Sequence, residues 1–456
     1  MSNSLKSSAN SKNLNTRQTA LNIINKIMID NAYPDIAIRN EFSKHKNIDS
    51  QNISLINEIV YGVIRWNLKI DFFINDNLKK DINKMKIKNL LKMGVYQLKF
   101  MDGIKAYASI NETVELGKQL FGIKIGNFIN AILRNIQRKD YSDIRFEDKT
   151  DEVSFNRSFP KWIINYWLEK FDLEKVDNLC SSLNLIPGLS LRTNTLKTGR
   201  DSLLENLIKE GIEAEKSEFS EAGINVLKRI DPISLRFYKE GFFSVQDEAS
   251  QMISFLLRPE PGEKVLDACA APGGKSTHLA EIMKNQGEII SLDVNNNRLR
   301  LVNNQAKRLG ISIIKTENRD LTNLDNLKKY ENYFDKILLD APCSGLGTIR
   351  RNPDIKWTRK MSDINELCDI QYKILYNISN TLKPGGKILF SVCTLSDLEN
   401  EKIIEKFLKN NRNFELEEIK NSVNIKKLVN ENNFFVSYTD IFNMDCFFAA
   451  KLKKVK

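Results

Sequence analysis

From Arg17 to about Lys139, apolar residues recur at helical spacing. Leu55, Ile56, Ile59, Val60, Val63 and Ile64 fall on one face, behind Ser54 as a candidate cap. Ser109 and Glu112 have capping-box spacing ahead of another helix, which can end at Gly122. Phe128, Ile129, Ile132, Leu133 and Ile136 make a further apolar stripe. This pattern predicts an all-helical N-terminal domain over 14–140, preceded by a polar Ser/Asn-rich tail, 1–13, that is expected to be disordered. The charged stretch 140–160 reads as a linker. Trp162 to Leu183 reads as helix, and Pro187 to about Tyr238 mixes short strands and helices, which predicts a small α+β connector over 160–238.

Beyond Pro259 and Pro261 the pattern changes. Short apolar runs at 264–268, 288–293, 311–315, 335–340 and 387–392 read as buried strands, with helical stretches between them, and 446–453 reads as a final strand. Buried strands alternating with helices predict a doubly wound, Rossmann-like α/β domain over 239–456.

Composition narrows the class. The chain has 456 residues, a net charge of +11 and a pI near 9.1. A basic excess favours a polyanionic partner without selecting one. Lys79, Lys80, Lys84, Lys86, Lys88 and Lys92 crowd one stretch, either as a solvated helix face or as a phosphate-contacting surface; Arg134, Arg138 and Lys139 carry the same ambiguity. The N-terminus lacks an apolar signal region, and no uncharged apolar run reaches the roughly 18 residues of a membrane span. The six cysteines are scattered without a C-x-x-C pair, and there are only two histidines. That argues against a disulfide framework and against a metal site, and predicts a reduced, cytoplasmic protein without membrane partners. A monomer is the default expectation, since no apolar face is left over.

Two loops carry candidate chemistry. The first strand runs into Asp267-Ala-Cys-Ala-Ala-Pro-Gly-Gly-Lys-Ser276. Small residues there let the backbone approach a ligand at the carboxyl edge of the sheet. The second strand ends in Asp293, an acidic group placed to hold both hydroxyls of a ribose, so a nucleoside-containing cofactor fits. A P-loop does not fit, because the glycine it needs is Cys269; the dinucleotide fingerprint G-x-G-x-x-G is also absent. The fourth strand ends in Asp340-Ala-Pro-Cys-Ser-Gly345, and the fifth leads to Ser391-Val-Cys-Thr394. Cys343 and Cys393 thus stand at the carboxyl ends of neighbouring strands, where nucleophilic chemistry is expected. Cys180 and Cys368 read as ordinary buried thiols.

With these motifs assembled, the chain resembles the bacterial Sun/Fmu (RsmB-like) family of small-subunit ribosomal RNA cytosine-C5 methyltransferases. The carriers are DACAAPGGKSTHLA (267–280), DAPCSG (340–345), VQDEASQ (245–251) and the Glu399-Asn400-Glu401 triplet. VYGVIRW (60–66), MGVYQLKFMD (93–102), SINETVELGK (109–118) and NFINAILRN (127–135) make the helical part resemble a NusB-type RNA-binding domain. The resemblance implies a class I methyltransferase domain with a seven-stranded sheet, S-adenosylmethionine as cofactor and 16S ribosomal RNA as partner.

Residue by residue, it implies that Cys269, Ala270, Ala271, Pro272, Gly273, Gly274 and Lys275 line the cofactor, that Asp293 holds its ribose and that Asp320 contacts the adenine side. Asp340 would lie between cofactor and cytosine. Cys393 would be the nucleophile at C6, and Cys343 would assist breakdown of the adduct. Arg192 and Asn194 match an Arg-x-Asn element near the RNA. The chain departs from the family at Val392 (usually Thr), Thr394 (usually Ser), Phe159 (usually His) and Cys446 (usually Gly). Two rivals stay open: the same chemistry on another RNA such as tRNA, and a non-catalytic assembly factor with a vestigial cofactor site.

Overall fold

The computed structural model describes residues 15–45, 48–228, 230–419 and 423–455, so the expected tail 1–13 lies outside the described residues. The chain divides into two compact units between Asn165 and Tyr166.

The first unit is helical: α1 (Thr16–Asp30), α2 (Pro34–Phe42), α3 (Ser50–Arg65), α4 (Asn67–Asn75), α5 (Met85–Lys99), α6 (Ala106–Phe121), α7 (Ile123–Arg138) and α8 (Lys149–Arg157). Ile56, Ile59, Val60, Val63 and Ile64 are fully buried, as their spacing predicts. The start of α3 differs from the expectation. Asp49 is the N-cap, its carboxylate accepting from the Asn52 N–H at 2.7 Å, and Ser54 lies inside the helix. Ser109 likewise caps nothing: α6 begins at Ala106, and Ser109 is buried on the face carrying Ile110, Thr113 and Val114. A small polar residue on a packed face mimics a cap signal in sequence. Gly122 does end α6, with φ +90°. The expected linker contains α8, capped by Asp148 through the Asp151 N–H at 2.7 Å. The lysine stretch splits in two. Lys92 is buried, 2.8 Å from Asp71 and 2.6 Å from the Asn67 amide oxygen, and Lys88 shares Asp71 at 3.1 Å. These two are structural, whereas Lys79, Lys80, Lys84 and Lys86 are exposed.

The second unit holds two sheets. The connector sheet has β1 (Leu189–Thr193), β2 (Ala214–Lys216), β3 (Gly223–Val226) and β4 (Phe243–Val245), all antiparallel, in the order β2-β3-β1-β4. Its fourth strand lies beyond the expected end at residue 238. Next come β5 (Lys264–Asp267), β6 (Glu288–Asp293), β7 (Ile314–Asn318), β8 (Phe334–Asp340), β9 (Leu382–Val392), β10 (Phe414–Leu416), β11 (Phe435–Val436) and β12 (Phe448–Lys454). They form one sheet in the order β10-β12-β9-β8-β5-β6-β7, with the two-residue β11 pairing on β12. The expected seven strands are therefore eight among the described residues. β5 to β9 pair in parallel, and β12 runs antiparallel between β9 and β10.

The strand expected at 311–315 starts at Ile314. Gly310 at φ +78° closes the preceding helix, and the Ile311 N–H donates back to the Ala306 carbonyl, so Ile311 serves as a core contact. Both faces of the sheet are covered. Leu266, Leu292, Ile337, Phe390 and Phe448 bury one face; Val265, Ile289, Leu338, Leu389 and Ala449 bury the other. The alternation follows from the period of two along each strand. Every loop with candidate chemistry consequently leaves the same carboxyl edge.

Candidate active site

β5 ends at Asp267 and the loop 268–273 turns into the helix Gly274–Ile282. Gly273 has φ +104°, and a Cβ there would come within 2.9 Å of the Val302 backbone. Only glycine fits this turn without strain. The Ala270 N–H donates to the Leu292 carbonyl at 2.9 Å, and the Ala271 N–H to Asp293 Oδ2 at 3.3 Å. Asp293 is buried and its other oxygen accepts from the Asn295 N–H at 2.8 Å. The loop is thereby tied to the end of β6. Cys269 is half-buried, and burial pushes its thiol well above the ordinary range. Pro272 is exposed at the tip of the loop and Gly274 opens the helix. Asp320 lies past β7, exposed, with Oδ1 accepting from the Thr322 N–H and hydroxyl at 2.9 and 2.7 Å; those bonds lower its pKa.

Asp340, at the end of β8, meets Lys275. The Lys275 Nζ lies 2.7 Å from Asp340 Oδ2, and the Ser391 hydroxyl donates to Oδ1 at 3.0 Å. Burial works to lower the Lys275 pKa, but the Asp340 charge and hydrogen bond outweigh it, so the ammonium is held above its usual value. The same Nζ lies 5.1 Å from the centroid of the Phe447 ring. Cys343 and Cys393 meet with their sulfurs 3.4 Å apart. The Cys343 thiol is pushed well up by its hydrogen bond with Cys393 and then by burial.

Sequence reading passed over two groups here. Asp267 is buried; Oδ2 accepts from Ser276 at 2.5 Å, Oδ1 has no partner, and burial pushes its pKa up to about 7. Its position as the first letter of the loop motif was the available signal. Gly347 is the second. Its N–H donates to the Cys393 carbonyl and its carbonyl accepts from the Cys446 N–H, each at 3.0 Å. A Cβ at Gly347 would stand 2.2 Å from the Cys446 carbonyl oxygen.

The expected RNA contacts at Arg192 and Asn194 are corrected by burial. Both side chains are fully buried. Arg192 binds Glu281 through two bonds at 2.8 and 3.0 Å, and also Thr277, the Gly274 carbonyl and Gln246. Asn194 donates to the Gly241 and Leu309 carbonyls, both at 2.9 Å. Arg192 fastens the connector sheet to the helix Gly274–Ile282 and Asn194 fastens it to the end of the helix Asn296–Leu309, leaving no group for RNA.

Family models match in three segments. The NusB family covers residues 14–138, the ferredoxin-like domain of the RsmF/B-like methyltransferases 159–232, and the 16S rRNA methyltransferase RsmB/F model 254–453. A protein of Bacillus subtilis (strain 168) called "Probable ribosomal RNA small subunit methyltransferase B" is 36% identical, over 89% of this chain and 90% of its own length. The chain belongs to the ribosomal RNA small subunit methyltransferase B family. Another member, from Pasteurella multocida (strain Pm70), is 34% identical over 90% of each chain. The solved structure of PH0851 covers 96% of this chain and 99% of its own, with TM-score 0.82 and 27% identity. NSun6 from Pyrococcus horikoshii, solved with SFG, covers 66% of this chain and 99% of its own, with TM-score 0.59 and 25% identity. The family's helical, ferredoxin-like and α/β parts appear here in that order.

S-adenosylmethionine is the cofactor of this family, and the residues present fit it. Asp267, Asp293 and Asp340 lie within one another's field, with Asp267 Oδ1 buried and unpartnered. Clustered carboxylates suit a ligand carrying a sulfonium and an ammonium. Asp293 ends β6, where a ribose is held in doubly wound folds. Among the described residues no group of His, Cys, Asp and Glu could hold a metal, and no helix is long and apolar enough to cross a membrane.

Proposed function

We propose that the protein transfers a methyl group from S-adenosylmethionine to C5 of one cytosine in 16S ribosomal RNA, through a covalent adduct between Cys393 and C6. The observation that carries this reading is the pair of thiols 3.4 Å apart at the ends of adjacent strands, beside the Lys275–Asp340 pair. C5 of cytosine is too weak a nucleophile to take a methyl group directly. Addition of the Cys393 sulfur to C6 makes C5 enamine-like, one hard step becoming two easier ones. Charge then gathers at N3, where Asp340, backed by the Lys275 ammonium, can hold or pass a proton. Residues 269–275 would hold the cofactor, with Asp293 at its ribose and Asp320 on its adenine side, and the group would supply an electrophilic methyl. Cys343, once it has given up its own proton to solvent, then takes the C5 proton; the C5–H electrons re-form the C5–C6 double bond, and the C6–S electrons leave with Cys393 as its thiolate. A base locked inside a duplex cannot reach this edge, so the target is single-stranded or flipped out. The exposed lysines of the helical unit and the net charge of +11 favour a phosphate-rich partner. The names of the relatives favour small-subunit ribosomal RNA over tRNA.

The test is methyl transfer from labelled cofactor to unmodified small-subunit rRNA, with tRNA in parallel, read by nucleoside mass spectrometry. New 5-methylcytosine in rRNA alone is expected. Label in tRNA alone overturns the substrate. No label in either, from folded protein that binds cofactor, overturns the reaction. Cys393→Ala should abolish both methylation and adduct, whereas Cys343→Ala should accumulate a covalent protein–RNA band on denaturing gels. An adduct seen only with Cys393→Ala would exchange the two roles.

A further inference from the structure

One buried side chain of the second cysteine loop ties that loop to the first. Glu399 is fully buried in the loop that follows Cys393. Its Oε1 accepts from the Ser344 N–H at 2.7 Å and the Gln371 amide at 3.1 Å. Its Oε2 accepts from the Ser344 hydroxyl at 2.6 Å and the Thr394 hydroxyl at 3.2 Å. Ser344 follows Cys343 and Thr394 follows Cys393, so one carboxylate reaches the neighbour of each thiol. The Ser344 and Thr394 hydroxyl oxygens also stand 2.8 Å apart, beside the same carboxylate oxygen. Gln371 donates to the Pro342 carbonyl at 2.8 Å as well, pinning the first loop from its other side.

We infer that Glu399 is a positioning residue whose carboxylate, through Ser344 and Thr394, sets the separation between the Cys343 and Cys393 sulfurs. An ionised carboxylate is an acceptor only, with about four lone-pair sites, and here four donors meet it. No other common side chain of this length supplies four acceptor sites, so the arrangement uses charge as a gauge of distance. Glu399 bonds to neither thiol and acts only through their neighbours. Thr394, where the family usually has serine, keeps the hydroxyl that Glu399 needs. The inference rests on the proposed roles of the two cysteines for its kinetic consequence, but not for its geometric one.

The geometric test therefore needs no RNA. Hydrogen peroxide converts two adjacent thiols to a disulfide and leaves two waters, and the rate of that closure reads the spacing of the sulfurs. Cys343–Cys393 closure in the full-length protein is followed by mass spectrometry. Glu399→Gln keeps the shape but replaces acceptor sites with donors, and should slow closure about tenfold or more. Thr394→Val should slow it too, and Thr394→Ser should restore what Thr394→Val loses. Closure at the wild-type rate in both Glu399→Gln and Thr394→Val overturns the inference. So does slowing that only parallels a loss of S-adenosylmethionine binding and a lower melting temperature.

The kinetic test follows with rRNA. In Glu399→Gln, kcat should fall about 100-fold with KM for cofactor nearly unchanged, and the covalent band should accumulate although both cysteines are present. Unchanged kcat with slowed closure would mean that the spacing is set as inferred while the proposed roles of the thiols fail.

Discussion

Asp267 is a carboxyl held where a carboxylate is costly. Burial raises its pKa to about 7, against 3.8 for the free side chain. The folded protein thus keeps a proton that the unfolded chain gives up as the pH climbs past about 4. The contribution of Asp267 to stability falls between there and about pH 7 and is flat above. A cation bound beside it reverses the preference in favour of the ionised form. Cofactor affinity is therefore expected to tighten as pH rises from 6 to 8 in calorimetry, and Asp267→Asn should flatten the profile. An unchanged slope in that variant would rule Asp267 out as the source. The loop motif was legible letter by letter, because small residues after a strand announce a close backbone approach. The burial of Asp267 was not, since it depends on Ser276 and on neighbouring carboxylates contributed by other strands. The meeting of Cys343 and Cys393 was legible only as two strand ends on one edge.

At the scale of elements, the apolar alternation placed the parallel strands within a few residues, while caps and small polar residues misled. Ser54 and Ser109 carry cap chemistry in sequence, yet their helices begin at Ser50 and Ala106 and leave them inside. Arg192 shows the opposite failure. The resemblance to the family's Arg-x-Asn element implied an RNA contact, but this arginine is buried against Glu281, a pairing 89 residues away along the chain. Its removal would strand a buried carboxylate. Arg192→Ala is expected to cost about 3–5 kcal/mol in denaturant unfolding. Replacing both partners with apolar residues of similar volume should recover much of that loss. If Arg192→Ala alone proved neutral, the pair would not be fastening the connector to the cofactor-loop helix.

At the scale of the whole molecule, the net charge was legible at once, but its allocation was not. Lys88 and Lys92 are consumed by Asp71 inside the helical unit, and Lys79, Lys80, Lys84 and Lys86 stay in solvent. Charge reversal at Lys80 and Lys84 is expected to weaken rRNA binding about tenfold at low salt and to flatten its salt dependence, with cofactor affinity unchanged. Lys92→Ala should instead lower the melting temperature, because Asp71 loses its buried partner. Titrations of labelled rRNA at several salt concentrations, beside thermal melts, separate the two outcomes. A uniform loss of binding across all these variants would mean that the helical unit's exposed lysines have no special part in docking.

The placement of β12 also orders events while the chain is being made. Both cysteines of the thiol pair, at 343 and 393, leave the ribosome before Phe448–Lys454 does, yet that strand fills the gap between β9 and β10. Until it arrives, β9 presents an open edge, and an open edge invites pairing with another chain. The Gly347 carbonyl meanwhile waits for the Cys446 N–H that holds it. A nascent chain can therefore carry both thiols without their working geometry, and its window of greatest vulnerability to aggregation lies between the emergence of β9 and that of β12.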